Sequence, residues 1–307
     1  MNPGPAESII DLVGHTPLLH LSRFAPPPLA GIYAKLEYFA PGGSVKDRAA
    51  LGMIQDAESK GLIERGSTII EPTAGNTGIG LALIGVARGY RVILCVPRGF
   101  AEEKMRLMEA LGGEIEYVPK EQGMTAAVNK ARELAEQIPN SFIPQQFENP
   151  ANPSYHETTT GREIIEQMEG RIDAVVIGAG TSGTFVGVSR AVKKINPHAL
   201  CVLVEPEGSI YGGGAPGKKQ IEGIGQTQFI PEIYDGSLAD EILMVMNDDT
   251  CAAVRKLART EGVLGGWSSG AAAAGAYQIA KQLGAGKRVV TVFPDGAERY
   301  LSQGIFD

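Results

Sequence analysis

The chain has 307 residues, 43% of them hydrophobic and 21% charged, the proportions of an ordinary globular protein with room for two α/β lobes. Its net charge of −7 is spread without long runs of one sign, which excludes the basic stripe that nucleic acid or an anionic membrane surface demands. No apolar stretch approaches a membrane span, and Met1 to Ser8 lack the basic and apolar regions of a secretory signal, so a cytoplasmic protein is expected.

In chain order, the first informative stretch is Gly42-Gly43-Ser44-Val45-Lys46-Asp47-Arg48, ahead of apolar residues at Ala50, Met53, Ile54 and Ala57 and a stop at Gly61. That spacing predicts a helix with a glycine C-cap and puts Lys46 at its threshold. The positive field of a helix N-terminus disfavours a charged ammonium. Lys46 is therefore a candidate nucleophile, able to form a Schiff base with a carbonyl; the plainer reading is a solvated surface lysine.

From residue 68 onward the pattern alternates. Runs at 68–70, 91–96, 114–118, 173–177, 200–204, 242–246 and 288–293 predict strands, with a strand-like connection at 142–144. Helical spacing predicts helices over 78–88, 102–111, 124–138, 158–168, 184–195, 250–261 and 271–283. Continuous β-branched runs between amphipathic helices imply parallel sheets covered on both faces, an α/β fold. Residues 148–155, with Pro150 and Pro153, predict a crossing between two lobes. Residues 208–235, with seven glycines among 28 residues, predict a long functional loop.

Three strand-to-helix junctions carry unusual residues. In Pro72-Thr73-Ala74-Gly75-Asn76-Thr77-Gly78 small and hydroxyl residues suit a carboxylate at a helix start, although Asn76 or Thr77 as an ordinary N-cap would explain part of it. Gly178-Ala179-Gly180-Thr181-Ser182-Gly183-Thr184 reads as a phosphate cradle. It also satisfies the dinucleotide fingerprint, and Glu205 ends the following strand where a ribose-binding acid would sit, so an NAD-dependent oxidoreductase is a serious rival. Gly265-Gly266-Trp267-Ser268-Ser269-Gly270 offers one serine as an N-cap and a second as a spare hydroxyl, with Trp267 expected in the core. A reactive lysine, a phosphate cradle, an anion loop and a spare serine are together the parts that pyridoxal 5′-phosphate requires, whereas a dehydrogenase needs only the second loop. Three cysteines and four histidines show no paired or metal-ligand spacing, so reduced thiols and no metal are expected.

The lysine loop and Glu71-Pro72-Thr73-Ala74-Gly75-Asn76-Thr77-Gly78-Ile79-Gly80 resemble signatures of the cysteine synthase and cystathionine β-synthase family, the fold-type II pyridoxal-phosphate enzymes. The likeness continues through Gly14-His15-Thr16-Pro17-Leu18, Gln145-Gln146-Phe147, the 178–184 loop, Glu222-Gly223-Ile224-Gly225 and Glu298-Arg299-Tyr300-Leu301. It implies a two-lobed fold like that of the tryptophan synthase β-subunit, each lobe a mostly parallel sheet flanked by helices. Residues 39–149 would form a smaller mobile lobe, and 1–38 with 150–307 the larger, phosphate-binding one.

By the same resemblance Lys46 would be the Schiff-base lysine and the base for the α-proton. Asn76 would bind the cofactor's 3′ oxygen, Gly180, Thr181, Ser182, Gly183 and Thr184 its phosphate, and Ser268 its pyridine nitrogen. Thr73, Ala74, Asn76, Thr77 and Gln146 would surround the substrate carboxylate. The implied reaction is replacement of the β-substituent of O-acetyl-L-serine or L-serine by a thiol, in a homodimer. Ala74 stands where cysteine synthases usually have serine; this resembles the bacterial branch that joins O-acetylserine to homocysteine, with sulfide as the alternative acceptor. His15 replaces the usual asparagine. No regulatory C-terminal domains or haem-bearing extension are expected. A serine or threonine deaminase is the rival within the fold type.

Overall fold

The computed structural model describes residues 4–99 and 102–307. Strands β1 (Leu18–His20) and β2 (Gly31–Leu36) precede helix α1 (Lys46–Ser59). Then come β3 (Thr68–Pro72), α2 (Asn76–Arg88), β4 (Arg91–Pro97), α3 (Glu102–Ala110), β5 (Glu114–Val118), α4 (Gly123–Gln137) and β6 (Ser141–Phe142). A long helix follows as α5 (Ala151–His156), a π turn (Glu157–Gly161) and α6 (Arg162–Gln167). The chain closes with β7 (Ala174–Gly178), α7 (Gly183–Ile195), β8 (Leu200–Pro206), β9 (Glu241–Val245), α8 (Asn247–Glu261), α9 (Trp267–Leu283) and β10 (Arg288–Phe293). It divides into two compact units, one made of the residues up to Val13 with Ala40–Asn152, the other of Gly14–Phe39 with Pro153–Asp307.

In the first unit a four-stranded sheet runs β5-β4-β3-β6, every pair parallel. Alternation sorts its side chains: Ile70, Ile93 and Cys95 pack with Ala127 and Ala131 of α4, while Val92 faces α2. A Cβ on Gly85 of α2 would stand 2.3 Å from Val92 Cγ2, so glycine lets that helix lie close on the sheet. The strand order reverses at β3, and ligands of open α/β sheets bind at such switch points, beyond the strands' carboxyl ends. Here that place is made by residues 73–77 and 143–147.

In the second unit a six-stranded sheet runs β1-β2-β10-β7-β8-β9, antiparallel only between β1 and β2. Period-2 burial gives it two cores. Ala174, Val176, Val202, Val204, Val289 and Phe293 lie on one face, and Val175, Ile177, Cys201, Leu203, Val290 and Val292 on the other. Its order reverses between β7 and β10, which places the 179–182 loop and residues 294–296 at its switch point. His15 occupies the left-handed region (φ 49°), where asparagine is among the favoured residues, and its amide donates to Glu163 at 3.0 Å. Lys35, fully buried, pairs with the same carboxylate at 2.7 Å and also donates to the Thr16 carbonyl and Gln167.

Two expectations need correction. The helix expected over 158–168 begins earlier, as α5 at Ala151, inside the stretch 148–155. Pro153 is compatible with it because a first-turn residue has no intrahelical acceptor for its N–H. The last long helix starts at Trp267 rather than Ala271, with Gly266 as its N-cap. The loop between β8 and β9 carries no strand and no helix longer than Gly236–Leu238. Cys95 and Cys201 are buried, and burial pushes the Cys95 thiol up to about 12 and raises that of Cys201. Among the described residues no helix is long and apolar enough to cross a membrane.

Helix α7 seats on the 151–167 helix through a glycine: a Cβ on Gly187 would stand 2.4 Å from the Pro153 carbonyl oxygen. Gly187→Ala is expected to lower stability by about 1–3 kcal/mol, the usual cost of overpacking, read from urea unfolding.

Candidate active site

Lys46 is the first residue of α1, and the turn before it is held by side chains rather than by an N-cap. The Asp47 carboxylate, buried, accepts the Gly42 amide at 2.6 Å, and Ser44 Oγ accepts the Lys46 amide at 3.3 Å. Gly42 cannot be replaced without moving Asp47, whose carboxylate would be 2.4 Å from a Cβ. Gly80 of α2 rests against the Lys46 carbonyl, 3.0 Å from where its Cβ would be. The lysine's backbone is thus fixed against the helix that follows the 73–77 loop.

In that loop neither Asn76 nor Thr77 is an N-cap; Gly75 holds that position, and no side chain caps the helix. Thr73, buried, accepts the Gly75 amide at 3.3 Å, and its own amide donates to the Cys95 carbonyl. The Thr77 hydroxyl donates to Gln146 Oε1 at 2.6 Å, which brings two residues 69 positions apart into one group at the β3 switch point. Gln146 is held in turn by Asn152, whose side-chain amide donates to its carbonyl at 2.9 Å. Gln145 adopts φ 57°, costly for a residue other than glycine. Ala74 lies half-buried in the loop, with only a methyl to offer.

The second unit supplies the cradle. A Cβ on Gly180 would stand 2.3 Å from the Gly223 carbonyl oxygen, so only glycine lets the 179–182 loop meet the 222–225 loop. The Gly180 carbonyl accepts the Tyr211 hydroxyl at 2.9 Å and the Gln226 amide at 2.7 Å, and the Gly225 amide donates to Ala179. Lys219, whose pKa burial lowers, donates to the carbonyls of Ile224 and Gly225. The carbonyls of Ala179 and Gly180 are thereby engaged by these partners, and the Gly183 amide that opens α7 donates to Thr181 Oγ1 at 3.4 Å; amides at a helix start are the usual donors to an anion. Ser182 is left-handed (φ 72°), and its buried Oγ makes no hydrogen bond of good geometry among the described residues. It lies near enough to Tyr211 to offset part of the rise that burial gives that phenol. Thr184 Oγ1 meets His156 Nε2 at 3.3 Å, and His156 Nδ1 meets Thr160 at 2.8 Å inside the π turn.

Ser268 and Ser269 lie in the first turn of α9 and neither caps it. Ser269 donates to the Asp295 carbonyl at 3.2 Å, the Gly266 amide donates to the same oxygen, and Gly265 pairs with Gly296. Ser268 is 2% exposed, lies beside Gly223, and its Oγ has no hydrogen-bond partner among the described residues. It is the spare hydroxyl, held next to the cradle's supporting loop. Trp267 is partly buried against the core and donates to Gln303 at 3.0 Å.

Glu205 does not serve as a ribose acid. It is buried, and its Oε1 accepts the Gly212 amide at 3.1 Å, which turns the carboxylate toward the chain's own loop. No group of metal-ligating side chains occurs among the described residues.

In the second unit a helix start, a close glycine contact, a buried serine hydroxyl without a good partner and a second spare serine fit a phosphorylated ring cofactor. Both units have the α/β build of a cofactor-dependent enzyme. The family described as pyridoxal-phosphate dependent enzyme matches residues 9–295, and the chain belongs to it. A cysteine synthase of Staphylococcus aureus (strain Mu50 / ATCC 700699) is 46% identical over 304 residues, covering 98% of this chain and 97% of that protein. The structure of an O-acetylserine-dependent cystathionine β-synthase from Helicobacter pylori superimposes with TM-score 0.93 at 41% identity, over 99% of this chain and 100% of that one. A cysteine synthase from Entamoeba histolytica gives TM-score 0.95 at 35% identity, over 100% of this chain and 92% of that one. The cofactor is pyridoxal 5′-phosphate, and the dinucleotide reading falls.

Sequence reasoning missed Glu71 as a working residue, although it quoted it within a motif. Fully buried at the end of β3, it accepts the amides of Gln145 (2.9 Å) and Gln146 (3.2 Å). Burial outweighs these bonds and pushes its carboxyl from 4.5 up to about 7, with Glu148 adding to the rise. An acid in the middle of a strand-end motif was the available signal.

A carboxyl raised in the folded state favours folding below its unfolded pKa, and that benefit is lost as pH rises through the folded value. The stability of the wild type relative to Glu71→Gln is therefore expected to fall between pH 4.5 and about 7, by on the order of 3 kcal/mol, and to level off above that. Urea unfolding at stepped pH measures it.

Proposed function

We propose that this enzyme replaces the β-substituent of O-acetyl-L-serine, or of L-serine, with a thiol, and that homocysteine, giving L-cystathionine, is the preferred acceptor. Ala74 carries that preference. A serine at this position would set a hydroxyl among the groups facing the substrate; the methyl removes a donor and leaves room for a bulkier thiol. The 41% identity to a protein described as an O-acetylserine-dependent cystathionine β-synthase supports it. Sulfide is the second acceptor, favoured by the 46% identity to a cysteine synthase. A homodimer belongs to the same reading and rests on the family resemblance.

When bound, pyridoxal phosphate supplies the electron sink that makes the amino acid's α-proton labile and lets the β-substituent leave. Lys46 Nζ would anchor the cofactor and, once released by substrate, hold the α-proton. Lys46 is the first residue of α1, so its place on the chain is set by the turn before that helix. Gly180, Thr181, Ser182, Gly183 and Thr184 would hold the phosphate and Asn76 the 3′ oxygen. Ser268 Oγ would address the ring nitrogen. A neutral hydroxyl keeps that nitrogen less protonated than a carboxylate would, which favours quick expulsion of the β-substituent. Thr73, Ala74, Asn76, Thr77 and Gln146 would receive the substrate's α-carboxylate through backbone and side-chain donors.

Product analysis with O-acetyl-L-serine and L-serine, each offered homocysteine and sulfide, tests the reading. Cystathionine from O-acetylserine is expected as the fastest product, and formation of neither cysteine nor cystathionine would refute β-replacement. Ala74→Ser is expected to move the kcat/KM ratio toward sulfide by about tenfold, as a single polar group in a pocket does. Lys46→Ala is expected to lower kcat by at least about 100-fold.

A further inference from the structure

We propose that Glu71 is a positioning residue for the amino-acid substrate: its carboxyl group clamps the amides of Gln145 and Gln146 and so aims the Gln146 side chain at the substrate's α-carboxylate. The proposal rests on the role given to Gln146 above. Each oxygen of Glu71 takes one of two successive amides, Oε2 that of Gln145 and Oε1 that of Gln146. Both bonds fall on the turn where Gln145 is left-handed, so they offset a backbone conformation that glutamine adopts at a cost. The clamp reaches from the last turn of β3 to the chain leaving β6, the two sides of the switch point.

Downstream of the clamp the geometry leaves one group open. Gln146 Oε1 accepts from Thr77 and its carbonyl accepts from Asn152. Its Nε2 makes no hydrogen bond to any described residue, although the residue is 6% exposed. A primary amide whose oxygen is already engaged presents only donors, which is the complement of a carboxylate. Glu71 touches no ligand in this account; it acts through the backbone of Gln146.

The test uses the pyridoxal-phosphate-loaded enzyme with L-alanine, which carries the α-carboxylate and no leaving group, binding being read from the cofactor's absorbance. Glu71→Gln keeps the shape and one acceptor but cannot accept both amides. It is expected to raise the L-alanine dissociation constant and the O-acetylserine KM about tenfold, with kcat within about threefold, the scale of one lost charge-assisted hydrogen bond. Gln146→Ala is expected to weaken L-alanine as well, and the double variant to bind no more weakly than Gln146→Ala alone. Multiplying effects in the double variant, or wild-type affinity in Glu71→Gln, would overturn the proposal. Wild-type affinity in Gln146→Ala would instead overturn the role of Gln146, and the clamp's purpose with it. Should Glu71→Gln fail to fold, Glu71→Asp keeps the charge and shortens the reach, and unchanged L-alanine binding there would equally sink the proposal.

Discussion

The hydrogen bond from the Gly42 amide to the Asp47 carboxylate closes the turn from which α1 begins, and the role proposed for Lys46 depends on that start. A helix that began one residue later would leave Lys46 outside its first turn. Asp47 holds the approach from outside and Gly80 from inside, the latter because a helix without a Cβ there can lie against the Lys46 carbonyl. Neither contact touches a ligand. Both convert an otherwise flexible glycine loop into a fixed origin for one amine.

The second unit solves a related problem with backbone alone. The phosphate role proposed for this loop needs its amides, so its carbonyls must go elsewhere, and Tyr211, Gln226 and the Gly225 amide take those of Gly180 and Ala179. The partners all come from residues 211–226, the glycine-rich stretch without regular structure. That long loop is therefore the support of the cradle, and its irregularity follows from having to place single donors at chosen points rather than to build a helix.

The alternation of β-branched runs and amphipathic helices made the α/β fold legible, since parallel strands buried on both faces leave few other patterns. The strand 288–293 and the loops 73–77 and 178–184 stand where the periodicity put them. Other parts were hidden for identifiable reasons. α5 starts at Ala151 because proline is tolerated in a first turn, while a reading by breakers ends structure there. Asn76 and Thr77 looked like caps because capping and ligand binding use the same residue types; the start of α2, with Gly75 as N-cap and no side-chain cap, sets the capping reading aside. Glu71 was invisible as a clamp because its partners are backbone amides 74 and 75 positions away, which no spacing rule registers.

Glu205 and the cysteines show what this chain keeps out of its own chemistry. A glycine fingerprint followed by an acid is a dinucleotide signature, yet that acid is buried, with one oxygen taken by the Gly212 amide and the other closed off from solvent. The thiols carry a similar consequence. The β-replacement proposed above would use an external thiol as its nucleophile, and a cysteine thiolate of the protein would compete with it. Burial holds Cys95 and Cys201 in their protonated, weakly nucleophilic form at physiological pH. The same packing that fills the two sheets thus withholds these two thiols from nucleophilic chemistry.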